Sequence, residues 1–316
     1  MLKLPKQFKR QIRKNSIYAL LLVTINLVVT SCAVLSKTQL QRINNLSVSS
    51  DTIAVTPKVI FTELATVRFE RGLYYAASLT SAAAREKEMN ALAAASIVDE
   101  QLVDRTEVYV SVLNSYLRAL RSISAATRWT DYGTEWRGIG RNIDSLILRY
   151  NQTDLLDTKL PIGWAKLSGQ YMGYISERYM RSRQTKVVKS FVTEGDTLVA
   201  ACVDGLIELL KKGDLIDLIE NESEGLKNNY SAYLRRLELS GLPPDFAADS
   251  KYVELVKRME VVKKTRSRCV TALQSLKRAH AKLVTELETK QKVDFIIDEL
   301  IELNTLALQL QSILAK

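Results

Sequence analysis

The sequence predicts an all-α fold, an elongated helical bundle with a long antiparallel, coiled-coil-like C-terminal hairpin. Only 5 prolines and 12 glycines interrupt its 316 residues, while alanine, leucine, glutamate, lysine and arginine, which favour long helices, are plentiful. Apolar residues recur at steps of three and four over long stretches, as they do on one face of a helix. No stretch shows the alternation that would predict a strand.

The first 31 residues have the pattern of an export signal. Six lysines and arginines, with no acidic residue among them, precede a nearly apolar run over 17–29, which suits the hydrophobic region of a signal peptide. A helix that spans about 30 Å of hydrocarbon needs about 20 apolar residues, so this run is too short to span. Small residues then precede Cys32, and we expect cleavage between Ser31 and Cys32.

The run Val29-Thr30-Ser31-Cys32 resembles the lipobox of bacterial lipoproteins: an aliphatic residue, two small residues and an invariant cysteine. The resemblance implies a diacylglyceryl group on the Cys32 thiol, cleavage before Cys32 and acylation of the new amino terminus. Several acyl chains anchor firmly, at about 0.8 kcal/mol per buried CH₂. The resemblance covers only this end of the chain, and Val29 stands where leucine is usual. An ordinary secretory signal or an uncleaved anchor is the alternative.

The residues after Cys32 bear on location. In lipoproteins an aspartate at the next position often directs retention in the inner membrane, and an acidic run directs some lipoproteins to the cell surface. Ala33 and the residues up to Lys37 have neither feature. The resemblance therefore implies a bacterial envelope protein, held in the outer membrane by lipid and facing the periplasm.

The net charge does not favour nucleic acid as a partner. Removal of the six basic residues with the signal lowers the formal net charge from +10 to +4. A small positive charge on a chain of this length carries no argument for nucleic acid. We expect a membrane contact through Cys32 and a protein partner in the envelope.

The pattern divides the rest of the chain into a tether and three helical parts. Residues 32–56 are polar and are predicted to form a lipidated tether. Thr56 and Pro57 form a typical helix start, with Thr56 as the N-cap and Pro57 as the first helical residue. A helical hairpin over 57–128 follows, with Ser81 capping its second helix. The remaining parts are an aromatic turn with a short helix over 129–151 and a long helical hairpin over 161–315.

The long hairpin reverses at residues 241–245, Gly-Leu-Pro-Pro-Asp. Ser250 is the expected cap of a last helix of about 65 residues, roughly 100 Å long if unbroken. Its apolar row shifts register by one after Lys290 and predicts an antiparallel partner in the preceding region. The row comprises Leu255, Met259, Val262, Cys269, Leu273, Leu276, His280, Leu283 and Leu287.

Cys202 and Cys269 are expected to be unpaired thiols. In a straight hairpin that turns near residue 245, they lie about 19 residues out of register, which is roughly 28 Å. A disulfide needs Cα atoms within about 7 Å.

Catalytic motifs are lacking in this sequence. Its one histidine, His280, falls on an apolar row, where a packed side chain satisfied by a neighbour is the usual role. The sequence has neither Cys-x-x-Cys nor Glu-x-x-His spacing and no phosphate-binding glycine loop. We therefore expect no enzyme activity, no metal and no cofactor; an unrecognised carboxylate site remains the alternative.

An aromatic turn is the best candidate for partner binding, because tryptophan, tyrosine and arginine dominate binding hot spots. The alternative is that these side chains plug the end of the bundle. The candidates are Trp129, Tyr132, Trp136, Arg137 and Trp164.

A dense basic stretch over 251–282 is a second candidate surface, for an anionic polymer or lipid. The alternative is a solvated face whose charges pair with the acidic run over 214–224. The candidate anion-binding residues are Lys263, Lys264, Arg266 and Arg268.

Together these observations favour a lipid-anchored envelope protein that acts as a non-enzymatic scaffold or interaction adaptor. The apolar faces of its helices also allow copies of the chain to associate as a homo-oligomer. Anionic polymer or lipid binding is the second hypothesis. A membrane-inserting, toxin-like protein is a weaker one, because the alanine-rich 82–95 and the apolar 198–210 are too short or too charged to span.

Overall fold

A computed structural model describes residues 34–125, 133–153, 159–164, 180–289 and 296–315. Ser36–Lys316 forms one compact unit. Over its described residues this unit contains seven α-helices and no strand, which confirms the all-α prediction. The other unit, Met1–Leu35, is described only at Val34 and Leu35.

The helices of the unit Ser36–Lys316 are long. Three of them contain 42, 43 and 44 residues, about 65 Å each at 1.5 Å per residue, so the unit is an elongated bundle. In chain order they are α1 Lys37–Ser78, α2 Ala82–Ser124, α3 Gly133–Gln152, α4 Met180–Lys211, α5 Gly213–Leu239, α6 Phe246–Thr289 and α7 Ile297–Leu314.

The first helix, α1, lies at the centre of the bundle. It packs against α2, α5, α6 and α7, while α4 packs between α2 and α6, and α3 packs on α2. Such a helix must bury apolar residues on several sides. Its buried residues include Leu40, Ile43, Leu46, Ile53 and Ile60.

The tether predicted over 32–56 is wrong from Lys37 onward, because those residues form the first half of α1. Ser36 caps this helix: its hydroxyl accepts a hydrogen bond from the Gln39 N–H at 3.1 Å, and the Gln39 side chain accepts one from the Ser36 N–H at 2.7 Å. The predicted cap and start, Thr56 and Pro57, instead lie buried inside the helix.

Serines and threonines made this part of α1 look like a tether. In the structure their hydroxyls donate to helix carbonyls, so they can be buried without unmet hydrogen bonds. Ser50 donates to the Leu46 carbonyl at 2.6 Å, and Thr56 donates to the Thr52 carbonyl at 2.7 Å. Ser47 donates across the helix interface to the Leu117 carbonyl.

The reversal predicted at residues 241–245 is confirmed, with Gly241 at φ 61°. The helix that follows starts earlier than predicted. Its cap is Asp245, whose carboxylate accepts from the N–H groups of Ala247 and Ala248. Ser250 therefore lies inside α6.

The predicted 65-residue last helix is wrong. α6 ends at Thr289, and α7 packs back along it, with Lys282 paired to Glu299 at 2.7 Å and Arg278 to Glu302 at 2.8 Å. The preceding region is also divided: α4 contacts α6, whereas α5 lies mainly against α1. The second half of α1, which the sequence predicted to be helical, occupies the place along α6 that a simple hairpin would have given to α5.

Several local predictions are confirmed. All the residues predicted for the apolar row of the last helix are buried in α6. Ser81 caps α2 by accepting from the Ala84 N–H, and the short helix predicted within 129–151 is α3, which starts at Gly133, earlier than the predicted turn allowed. Cys202 and Cys269 are free and buried, and burial raises the pKa of both thiols above their ordinary range.

Candidate functional site

His280 joins three helices through a buried hydrogen-bonded cluster. Its Nε2 lies 2.6 Å from the hydroxyl of Tyr116 on α2, and its Nδ1 lies 3.1 Å from a carboxylate oxygen of Asp196 on α4. A neutral imidazole protonated at Nδ1 satisfies both contacts, because it donates to Asp196 and accepts from Tyr116. His280 is thus packed and satisfied by neighbours, the role that its place on the apolar row predicted.

Aromatic rings surround this cluster. Phe191 stacks on Tyr116 with ring centroids 5.0 Å apart and an interplanar angle of 5°, and Trp164 meets both rings edge-on. A Cβ on Gly195 would lie 2.3 Å from the Tyr116 ring. Glycine at this position therefore lets the ring lie directly against the backbone of α4.

The electrostatics of the cluster follow from its burial. Burial, with a smaller contribution from Asp196, raises the pKa of Tyr116 well above its ordinary value. The hydrogen bond from His280 lowers the pKa of Asp196. The His280 side chain is 0% exposed, and both of its nitrogens bond to groups of the bundle.

The predicted aromatic binding residues fall into three groups. Trp164 is only 4% exposed and belongs to the core around Tyr116, which corrects its assignment to a partner surface and fits the plug alternative. Trp129 and Tyr132 lie outside the described residues. Trp136 and Arg137 lie in α3, but their side chains fall outside the described part, so their role stays a prediction.

The predicted anion-binding residues are spread around α6. Arg266 donates to the Leu210 carbonyl at the end of α4 at 3.0 Å, and Arg268 donates to Gln309 of α7 at 3.2 Å. Lys263 lies 3.6 Å from Glu260, and Lys264 is exposed. Three of the four thus contact neighbouring groups within the bundle and do not converge on one external site.

Other basic residues of α6 pair with carboxylates, but not with those of the run over 214–224. Arg258 pairs with Glu63 of α1, and Lys277 with Asp204 of α4. The proposed pairing with that acidic run is corrected because α5, which carries the run, packs on α1. Its Glu222 pairs there with Arg68 and Arg71.

A second charged cluster joins α1, α2 and α5. Arg68 bridges Asp99 and Glu222, which are 11% and 5% exposed, and Arg71 lies 2.7 Å from Glu222. Burial raises the pKa of Asp99 although Arg68 lies beside it. A cleft of about 440 Å³ opens over these arginines, lined also by Tyr75, Glu88, Leu92 and Asn229 among others.

The α5–α6 tip, residues 239–246, is an exposed apolar surface that the sequence analysis missed. Leu239 and Phe246 are each 82% exposed, and Leu242 is 57% exposed. A cluster of tyrosines supports the tip: Tyr230 stacks on Tyr252 at 3.9 Å, and Tyr74 donates to the Ala248 carbonyl at 2.7 Å. In the sequence, the three apolar residues Leu239, Leu242 and Phe246 lie close to one turn and outside any apolar row predicted to be buried. That placement is the sequence signal that could have revealed the exposed surface.

Within the described residues, no group of histidine, cysteine or acidic side chains is arranged to hold a metal ion. None of the helices in the described part combines the length and apolar character needed to cross a bilayer.

The fold and these surfaces define a class, an all-helical bundle with a polar core cluster and an exposed apolar tip. Comparison with known proteins adds no narrower assignment: no family model, no curated protein and no solved structure matches the chain.

Proposed function

We propose that this protein is a lipid-anchored component of the bacterial cell envelope that acts as a non-enzymatic scaffold or adaptor between proteins. The anchor would be acylated Cys32, at the end of a segment that resembles a lipoprotein signal. The observation that carries the adaptor role is the exposed apolar α5–α6 tip. A soluble surface rarely exposes leucine and phenylalanine side chains together unless they contact something.

The tip lies far along α1 from the start of that helix. Tyr74, near the C-terminal end of α1, contacts Ala248 beside the tip, about 55 Å along α1 from Lys37. Cys32 precedes Ser36 by only four residues, which an extended chain spans in about 14 Å. A lipid on Cys32 would therefore hold the start of α1 near the membrane and leave the tip available to a partner at a distance.

The second hypothesis, binding of an anionic polymer or lipid through the basic face of α6, has less support. Lys251, Arg258, Lys277, Arg278 and Lys282 each pair with a carboxylate. Charges that are already paired attract an external anion weakly.

The anchor is tested by mass spectrometry of the native protein. We expect a mature N-terminal peptide that starts at Cys32 and carries acyl chains, and we expect Cys32→Ala to remain unprocessed. An intact leader, or an unmodified Cys32 in the native protein, would overturn the anchor.

The adaptor role is tested by photocrosslinking in cells. A crosslinker at position 246 should give one discrete protein adduct, and Leu242→Asp should abolish it. A crosslinker at position 97, which is 57% exposed on α2, is the matched control and should not give that adduct. The same adducts from both positions, or none from position 246, would count against the tip.

A further inference from the structure

One solvent-facing row of α1 carries no charged side chain. Its members recur at alternating steps of three and four, the spacing of a coiled-coil seam. Val48 and Val55 at its middle are 51% and 41% exposed. Because 25% of the chain is charged, a neutral row of this length on a surface calls for an explanation. The row comprises Thr38, Gln41, Asn45, Val48, Thr52, Val55, Val59 and Thr62.

Two neighbouring charges of α1, Asp51 and Lys58, are held away from this row. Asp51 pairs with Arg121, and Lys58 pairs with Glu107 at 2.7 Å; both partners lie on α2. These pairs keep the charged groups on the α2 side of α1. Lys37 and Arg42 lie beside the start of the row, so the exposed face between α2 and α7 is neutral from Asn45 to Thr62.

The last described helix extends the neutral face. Gln311 donates to the Thr52 hydroxyl at 2.8 Å, and the Ser49 hydroxyl contacts Asn304, so α7 runs parallel to α1 along the row. Beside these contacts Ile301 and Leu308 are 61% and 57% exposed, seven residues apart. The face therefore combines aliphatic side chains with small polar groups over two adjacent helices.

The chemistry of this face selects its occupant. Gln41 donates to Asn45 at 3.3 Å, which leaves the Gln41 carbonyl and the Asn45 amide group exposed and polar, and such groups do not suit the interior of a lipid layer. A charged partner surface would lose water there without meeting an opposite charge. A neutral face with both donors and acceptors is complementary to itself, which is what a symmetric pair requires, since the same patch faces itself.

We propose that a second copy of this chain docks on the neutral face, with the two α1 helices side by side and parallel. The parallel direction rests on the proposed lipid anchor. With parallel α1 helices both Cys32 residues lie at the same end and can enter one membrane. An antiparallel pair would separate the two α1 N-termini by roughly the length of α1, about 63 Å for 42 residues. In a parallel pair each row residue faces its own copy, whereas in an antiparallel pair the two copies of Thr38, at the start of the row, lie far apart.

The pairing is tested by light scattering of the full-length mature protein in detergent. We expect a dimer, and we expect Val48→Glu with Val55→Glu to halve the mass, because it places like charges opposite each other at the axis. Ile97→Glu with Val98→Glu is the matched control: those residues are 57% and 62% exposed on α2 and should leave the dimer intact. A monomeric native protein, or a dimer that survives V48E/V55E, would overturn the proposal.

The parallel direction of the two α1 helices is tested by disulfide formation in variants that each carry one added cysteine. Thr38→Cys, at the exposed start of the row, should crosslink two copies efficiently, while Thr285→Cys, on an exposed position of α6, should not. The buried Cys202 and Cys269 give a low background. A dimer without the Thr38→Cys crosslink would overturn the parallel arrangement. Mass spectrometry of Cys32 in the same samples separates the questions, since an unmodified Cys32 with an intact dimer contradicts the anchor and not the interface.

Discussion

The two halves of α2 are stabilised in different ways. Residues 82–105 are mostly exposed, and Asp99, their one buried residue, reaches α1 through an ion pair with Arg68. Residues 106–124 are mostly buried among α1, α3 and α4. Their fully buried side chains include Tyr109, Leu113, Tyr116, Leu117, Leu120 and Ile123.

This difference shows that one continuous helix need not contribute evenly to the fold. Apolar burial in the second half contributes on the order of 25 cal/mol per Å² of buried surface. The first half has few apolar contacts, such as Leu92 against Gly72, and relies more on charged contacts, whose desolvation cost cancels much of their attraction. We expect the second half to set global stability and the first half to open locally at lower cost.

The sharpest way to test the comparison is to truncate one apolar residue in each half. Leu113→Ala should lower the free energy of unfolding by about 2–5 kcal/mol, the usual range for a fully buried leucine. Ile97→Ala, at an exposed position of the same helix, should change it by less than about 0.5 kcal/mol. Urea denaturation measures both, and equal effects would contradict the division of α2.

Breaking the charged cluster should have an intermediate effect. Glu222→Gln leaves Arg68 and Arg71 without their shared carboxylate, and we expect a loss of about 2 kcal/mol. In the Glu222→Gln variant, amide hydrogen exchange in residues 82–105 should become faster than in the native protein, while exchange in residues 106–124 should change less. Glu220→Gln, an exposed carboxylate on the same helix, is the control. If both variants exchange alike, the cluster does not hold the first half of α2.

The smallest effect is expected at Asp196, which is linked to Tyr116 in the buried half of α2 only through His280. His280 lowers the pKa of Asp196 below its ordinary 3.8, so this contact stabilises the fold above pH 3.8 and is lost as the pH falls through the folded-state pKa. Asp196→Asn should cost about 1 kcal/mol at neutral pH, less than a fully buried contact because Asp196 is 44% exposed.

The pH dependence of thermal stability tests this role of the Asp196 carboxylate. Thermal melts of the native protein and of Asp196→Asn should differ near neutral pH and converge in acid. Asp204→Asn, on the same helix and 57% exposed, is the control and should change stability little. A gap that stays constant down to low pH would contradict the role given to the Asp196 carboxylate.

Sequence spacing predicted those parts of the fold that local periodicity determines. The row from Leu255 to Leu287 identified the buried face of α6, and its register shift after Lys290 stands next to the end of that helix at Thr289. The reversal at 241–245 followed from its proline and glycine residues. These features depend on residues close together in the chain.

The parts that could not be predicted depend on distant contacts. The first half of α1 is polar in composition, and only its hydrogen bonds to helix carbonyls explain why Ser47 and Thr56 are buried. The partners of His280 come from positions 164 and 84 residues away along the chain. Pro57, misread as a helix start, displaced only the start of α1. The place of α5 depends on contacts of Glu222 with Arg68 and Arg71, which are 154 and 151 residues away along the chain.

The central position of α1 has a consequence for the order in which the native structure can form. The α1–α2 hairpin uses contacts that are close in sequence and can form early. The remaining faces of α1 are covered only by α5, α6 and α7, which are synthesised more than a hundred residues later. During synthesis these faces stay uncovered and open to a chaperone. If the N-terminus directs secretion, this late closure keeps the chain loose enough to be threaded through a translocation pore, and the native core closes on the far side.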